Sequence, residues 1–458
     1  MSRPGAGIAA LALVGALAPA GWAAGLGCAP PAIAHCLIGT AQDARQDLTR
    51  TRDRDEAAFA IATALGTLGR FDEALAQAAD IAEPATAAEA VGEIALAIAQ
   101  TGDIERAREL ALGIDDARSR SARILALEAI AAEQARRGDA EGAYETVVAI
   151  ANPYRRSEAQ AAIALSVART GDISGAVRAA SRIATDYWFT ADQDSRKIPS
   201  GLVVRSKDFD QFWFYEALVG IAEIEAVGGD VESALQTAHA IPDVAARSRA
   251  LGRIAAVQAG LGDLEGARLT AQLIEGAYGD AEALIAMADA LAERGRMAEA
   301  IDLARQIQSA YGNAAALVAV AGRIAETGDI AQAEALAAEI GAIEYLTQAR
   351  IALARAEARR GQIATALSLV AAVPHRGERA AAVADICASL AVAGDGAGAR
   401  ALARGFASGP ALDELILATA RAEARAGKDD AALATAEEIE DTLLRAVAAA
   451  ELARIIGP

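Results

Sequence analysis

Few residues in this 458-residue chain have the types and spacing that catalysis or metal binding needs. The three histidines, His35, His239 and His375, are far apart in the sequence and lie in different settings. The chain contains no H-E-x-x-H, C-x-x-C, phosphate-loop or G-x-S-x-G motif. Two alternate carboxylates, Asp192 and Asp194, lack the further ligands and the glycine of a calcium loop. We therefore predict that the protein is not an enzyme and needs neither a metal nor a cofactor.

Two of the three cysteines, Cys28 and Cys36, flank a short loop that contains two prolines. In an oxidising compartment they could form a disulfide, which is the pairing we predict. Two alternatives stay open: both thiols remain free, or Cys28 is lipidated.

The first residues have the pattern of a secretion signal. Arg3 is followed by an apolar run at 8–18 and by small residues that suit cleavage near Ala23 or Ala24. We predict a signal peptide at 1–24 and a bacterial protein that is periplasmic or secreted, since 40 arginines beside three lysines are typical of a GC-rich genome. Membrane attachment is expected only if the signal stays uncleaved or Cys28 is lipidated.

Composition and charge favour close-packed helices. Apolar residues make up 54% of the chain but aromatics only 4%, and alanine, the best helix former, supplies most of the difference. The net charge of −19 disfavours a nucleic-acid partner, which would need a basic surface.

A turn glycine recurs along the chain, and eight of the ten intervals between successive turn glycines have the same length, thirty-three positions. Glycine tolerates the positive φ that ends a helix, and the Asp that follows in seven repeats can cap the next helix. The turn glycines are Gly69, Gly102, Gly138, Gly171, Gly229, Gly262, Gly295, Gly328, Gly361, Gly394 and Gly427.

Fixed positions around each turn carry small and aliphatic residues. Alanine stands five residues after every turn glycine, an aliphatic residue stands eight before it in ten repeats, and a small residue stands seven before it. These offsets give each helix an apolar stripe that only stacking can bury. Cys387 occupies one of the small positions, which indicates a buried structural thiol.

This pattern resembles the tetratricopeptide repeat family, which pairs two antiparallel helices around such small positions. The period is one residue shorter than usual, the second helix lacks the family's large aromatic, and the closing proline is mostly missing. The resemblance covers about residues 52–458 and implies an all-α solenoid, a superhelix of eleven helix–turn–helix repeats. It does not indicate a partner.

The expected organisation is a signal peptide at 1–24, an N-terminal cap with the possible disulfide at 25–51, and repeats one to four at 52–183. An aromatic insertion follows at 184–211, then repeats five to eleven at 212–440 and a C-terminal capping helix at 441–458.

The interval from Gly171 to Gly229 is longer than the common repeat by twenty-five positions. Because eight of the 17 aromatic residues of the chain lie at 187–215, we interpret this segment as a candidate binding element. The alternative is that the aromatics form a small core of their own. The eight are Tyr187, Trp188, Phe189, Phe209, Phe212, Trp213, Phe214 and Tyr215.

In the family the first helix of each pair lines the groove. The positions two and six before the turn glycine lie one helical turn apart on that helix. They are acidic at Asp289 and Glu293, and basic at Arg355, Arg359, Arg421 and Arg425. This change of charge could orient an extended partner, or it could be an ordinary solvated face.

We therefore expect an interaction scaffold that binds a protein or peptide in its groove. The alternative is a module that binds a small ligand or glycan through residues 184–215.

Overall fold

The protein is an all-α solenoid. The computed structural model describes residues 33–190, 206–274 and 279–457, and every regular element within these ranges is an α-helix. The predicted signal peptide and Cys28 lie outside the described residues, so the cleavage and the pairing of Cys28 with Cys36 stay predictions.

One helix precedes eleven helix pairs, and one follows them. In chain order they are α1 (Ile33–Gln46); α2 (Thr51–Thr67) with α3 (Phe71–Ala79); α4 (Pro84–Thr101) with α5 (Ile104–Gly113); α6 (Asp116–Arg136) with α7 (Ala140–Val148); α8 (Pro153–Arg169) with α9 (Ile173–Thr190); α10 (Ser206–Val227) with α11 (Val231–His239); α12 (Val244–Leu261) with α13 (Leu264–Ala271); α14 (Gly279–Glu293) with α15 (Met297–Gln306); α16 (Ala310–Thr327) with α17 (Ile330–Ala337); α18 (Ile343–Arg359) with α19 (Ile363–Ala371); α20 (Arg376–Ala393) with α21 (Gly396–Phe406); α22 (Pro410–Arg425) with α23 (Asp429–Ala436); and α24 (Thr442–Ile456). The even-numbered helices are the first helices of the repeats.

The predicted turns are confirmed. All eleven turn glycines have positive φ, from 70° at Gly427 to 103° at Gly102, which a residue with a Cβ rarely adopts. In all seven Gly-Asp pairs the carboxylate accepts the backbone N–H three residues on, at 2.8 to 3.3 Å. These bonds satisfy one of the unpaired donors at the start of each second helix.

The small positions are where the helices meet. The alanine five residues after the turn is fully buried in every repeat, from Ala74 to Ala432. The aliphatic residues eight before the turn are also buried, as is Cys387 in its small position. Between repeats six and seven, for example, Ala259 and Ala267 pack with Met287. Interior packing therefore follows the pattern read from the sequence.

An arginine that the sequence analysis did not single out closes the loop between some repeats. Arg247, Arg379 and Arg445 share one register, eighteen positions after a turn glycine. Each guanidinium donates to the carbonyl of the residue six before it, at 2.9, 2.7 and 3.0 Å respectively. These bonds give loop carbonyls, two or three residues past the end of the preceding helix, a hydrogen-bond donor.

The helices form two compact units. The terminal unit contains the residues up to Ala97 together with those from Ala358 onward, and the central unit contains Ile98–Glu357.

In the terminal unit the first and last described helices pack against each other. Helix α24 contacts α1 and α2 as well as its chain neighbours α22 and α23. Leu452 and Ala453 stand one full repeat length after Thr419 and Ala420, in the aliphatic and small positions, and both are fully buried. Ala41 stands one full repeat length before Ala74 and is buried in the same way.

Helices α24 and α1 are therefore the first and second helices of a twelfth repeat whose halves come from opposite ends of the described chain. We expected each of the two segments to cap a free end of the solenoid. Instead, the apolar face of α1 packs against the apolar face of α24, so neither helix is a free cap.

In the central unit the expected insertion at 184–211 partly continues the helices beside it. Helix α9 runs on to Thr190 and α10 already begins at Ser206. Residues 191–205 lie outside the described ranges. Both helices are therefore longer than their counterparts in the neighbouring repeats.

Candidate functional site: an aromatic edge on the central unit

Three aromatic side chains meet between the first turn of α8 and the N-terminal half of α10, two neighbouring first helices. Tyr154 lies in the first turn of α8, and Phe212 and Trp213 lie on α10. The Tyr154 and Trp213 ring centroids are 5.5 Å apart in an edge-on arrangement, and those of Phe212 and Trp213 are 5.2 Å apart. We call these three residues the aromatic edge.

The outer members of the aromatic edge face solvent. Tyr154 is 43% exposed and Phe212 is 45% exposed, while Trp213 between them is half-buried. The Trp213 indole Nε1 is buried and has no hydrogen-bond partner. Trp213 therefore contributes a rigid apolar wall, and its neighbours contribute accessible ring faces.

The other predicted aromatics divide into two groups. Phe214 and Tyr215 are half-buried, with ring centroids 5.6 Å apart, so they pack largely within the repeat. The side chains of the remaining four lie outside the description: Tyr187, Trp188, Phe189 and Phe209.

Ion pairs border the aromatic edge. Arg155, next to Tyr154, donates to Glu128 through Nε at 3.0 Å and also pairs with Glu158 at 3.2 Å. Burial raises the pKa of the Glu128 carboxyl even though Arg155 binds it. Arg249 pairs with Glu216 one turn along α10. The apolar rings are thus bordered by polar groups, as in the polar rim around a hot spot.

A second aromatic pair was missed by the sequence analysis. Tyr311 on α16 and Tyr345 on α18 have ring centroids 6.3 Å apart, and Tyr311 is exposed. Tyr154, Phe212 and Tyr311 share one register, seventeen positions before a turn glycine. That shared register is the signal that would have found Tyr154 and Tyr311.

The predicted acidic positions are partly neutralised. Arg323 donates to Asp289 at 2.9 Å, contacts Glu326 at 3.4 Å and also pairs with Glu293. The hydrogen bond to Asp289 raises the pKa of the Arg323 guanidinium further. Three carboxylates therefore share one cation, so this part of the face stays acidic but less so than the sequence indicated.

Among the predicted basic positions, Arg359 and Arg421 have identified partners. Arg359 donates to the Ser389 hydroxyl at 2.8 Å, and Arg421 pairs with Glu451. Arg355 is half-buried and Arg425 is exposed. The contacts of Arg359 and Arg421, like that between Arg323 and Glu293, join residues thirty positions apart, a spacing that could have been read from the sequence.

The described residues offer little other chemistry. No group of three or more His, Cys, Asp or Glu in these ranges is placed to hold a metal ion. Burial raises the pKa of the Cys387 thiol to about 12, so it is not a nucleophile at neutral pH. His239 and His375 are exposed, as expected for surface residues.

The terminal unit has a pocket of about 770 Å³ between the starts of α2 and α4. Its buried carboxylate, Asp55, accepts the backbone N–H groups of Ala82 and Glu83, each at 3.0 Å. Asp55 therefore connects two repeats and is not poised for a ligand. Searched over the described residues, no helix is both long and apolar enough to span a bilayer.

No family model matches the sequence, and no curated protein matches it. Solved structures do align with it. Ton1535 from Thermococcus onnurineus NA1 is 14% identical over 78% of this chain and 96% of that one, with a TM-score of 0.23. A circular tandem repeat protein with a novel repeat topology is 12% identical over 93% and 97%, with a TM-score of 0.19. TM-scores this low carry no argument about function.

Proposed function

We propose that this protein is an exported, tetratricopeptide-like scaffold that binds a protein or peptide on the surface formed by its first helices. The aromatic edge carries the proposal. Exposed aromatic rings around a rigid half-buried tryptophan, bordered by ion pairs, are the typical composition of a protein-binding hot spot.

The distribution of aromatics supports this choice of surface. Only 4% of the residues are aromatic, so most of the exposed surface has little rigid apolar area to offer a partner. Helix propensity does not require aromatic residues in the register of Tyr154 and Phe212, seventeen positions before the turn glycine. The terminal unit has Arg52 and Ala85 in that register.

Photo-crosslinking in the native host tests the proposal. A benzophenone amino acid at Phe212 is expected to trap one discrete protein partner, identified by mass spectrometry. The matched control places the same group at Val392, which is also exposed but lies in the terminal unit. Identical adducts at both positions would contradict a specific site.

A glycan or small ligand could also stack on Tyr154 and Phe212. Glycan and amino-acid arrays separate the two functions. If the wild-type protein binds a sugar and Phe212→Ala does not, while no protein adduct forms at residue 212, the ligand-binding alternative replaces the scaffold.

Export is a separate part of the proposal and has its own test. Intact-mass measurement of the protein from its host should show loss of residues up to about Ala23 or Ala24. An intact Met1 would contradict export, and a diacylglyceryl adduct on Cys28 would establish the lipoprotein form.

A further inference from the structure

The twelfth repeat joins the two ends of the described chain without a covalent connection between its helices. Helix α1 buries Leu37, Ile38 and Ala41, and α24 buries Leu452 and Ala453. Helices α1 and α24 pack on each other as the two helices of an interior repeat do.

Polar contacts fix α1 on the first complete repeat. The Arg45 guanidinium donates to the Arg54 carbonyl and to the Gln77 side chain, both at 3.2 Å, and pairs with Asp80 at 3.4 Å. At the other end of α1, the His35 ring lies 3.2 Å from the Arg70 guanidinium. Helix α1 is thus oriented against both α2 and α3.

The end of α24 fits closely against the end of α2. A Cβ added at Gly457 would clash with the Leu68 side chain and with the Ala453 carbonyl oxygen, so a larger residue here must displace its neighbours. Helix α24 therefore has a first helix on each side, α22 and α2, as interior first helices do.

In an open array of repeats, each terminal repeat has one neighbour only, and the ends unfold locally at low cost. Here neither α1 nor α24 has a free apolar face. If α1 detaches, the face of α24 that it covers is exposed, and the reverse also holds. We infer that the split repeat is a clasp that couples local unfolding of α1 to that of α24, the two ends of the described chain, which lie about 400 residues apart in sequence.

Amide hydrogen exchange on the whole protein tests this inference. In the wild type, α1 and α24 should exchange no faster than α11–α13, whereas free solenoid ends would exchange fastest. Rapid exchange confined to α1 and α24 in the wild type would overturn the clasp.

Two variants test the coupling from opposite ends. Ala41→Leu overpacks α1 and should speed exchange in α24 by about tenfold or more. Gly457→Leu overpacks the contact with Leu68 and should speed exchange in α1 to a similar degree. Unchanged rates at the opposite end in either variant would show that the helices unfold independently.

The matched control is Ala333→Leu, since Ala333 is fully buried in the same register of α17. This change should speed exchange around α17 and leave α1 and α24 at their wild-type rates. Wild-type exchange in α11–α13 of the two clasp variants verifies that they remain folded. If Ala333→Leu accelerated α1 and α24 as strongly as the clasp variants do, the coupling would be global and the clasp would be rejected.

Discussion

The central and terminal units have the same pattern of buried residues but different residues on their surfaces. Fully buried alanines occupy the same register in both units. In the register seventeen positions before the turn glycine, four of the seven central repeats have an aromatic residue and none of the four terminal repeats has one. The central residues are Tyr154, Phe212, Tyr278 and Tyr311 with Ser121, Ala245 and Glu344, and the terminal ones are Arg52, Ala85, Gly377 and Pro410. Because residues of many types occupy this register, packing does not explain the aromatic residues of the central unit. We propose that they are there to bind a partner.

The largest effect on stability is expected from cavities made in the interior of each unit. Ile221 on α10 and Ile386 on α20 are fully buried in the same register, one in each unit. Ile→Ala at either site should lower the free energy of unfolding by about 2–5 kcal/mol, because each leaves a cavity. Denaturant unfolding measures both. A loss at only one site would show that the interiors differ.

Overpacking should have a smaller effect. Ala300 is fully buried at the alanine position of α15. Ala300→Leu is expected to cost about 1–3 kcal/mol, measured by the same unfolding experiment. A variant as stable as the wild type would mean that the space between these repeats adapts to a larger side chain.

The interior could be predicted from the sequence because the same residue types recur at the same spacing in each repeat. The turn glycines, the Asp caps and the buried alanines all lie where their spacing placed them. The pairing of α1 with α24 could not be read in this way. Without a turn glycine between its helices, the twelfth repeat lacks the signal that defined the other eleven.

The surface was predicted less completely, because side-chain partners depend on the approach of neighbouring repeats. Asp289 and Glu293 were identified, but Arg323, which binds both, was not. Trp213 was identified without Tyr154, which lies on the preceding first helix. The sequence therefore identified individual surface residues, but it did not identify their partners in neighbouring repeats.

Helix caps should contribute about 1 kcal/mol each. Asp263 accepts the Gly266 N–H at 2.8 Å, whereas Arg296, at the equivalent position of another repeat, makes no side-chain cap bond. Asp263→Ala is expected to destabilise by about 1 kcal/mol, and Arg296→Ala to change stability by less. Thermal unfolding of the two variants measures the difference, and equal shifts would contradict a capping role.

A buried carboxylate gives a pH-dependent difference between the units. Glu225 is 6% exposed, and burial raises the pKa of its carboxyl. Glu423, in the same register of the terminal unit, has Arg400 at 3.7 Å.

Because folding favours the neutral form of Glu225, its contribution to stability should be present at acid pH and lost as the pH rises through the raised pKa. The stability of Glu225→Gln relative to the wild type should therefore increase with pH over that range. A pH-independent difference in unfolding free energy would contradict this assignment.

The most direct test of the account compares binding with stability at one exposed ring. Phe212→Ala should lower the unfolding free energy by only about 1 kcal/mol, since the side chain is 45% exposed and loses one edge contact with Trp213. The same variant should bind the partner trapped at residue 212 at least about tenfold more weakly, as expected for a hot-spot aromatic. Val392→Ala, on the exposed surface of the terminal unit, should change neither quantity. A Phe212→Ala protein with wild-type affinity for that partner would contradict the claim that the aromatic edge is the binding site.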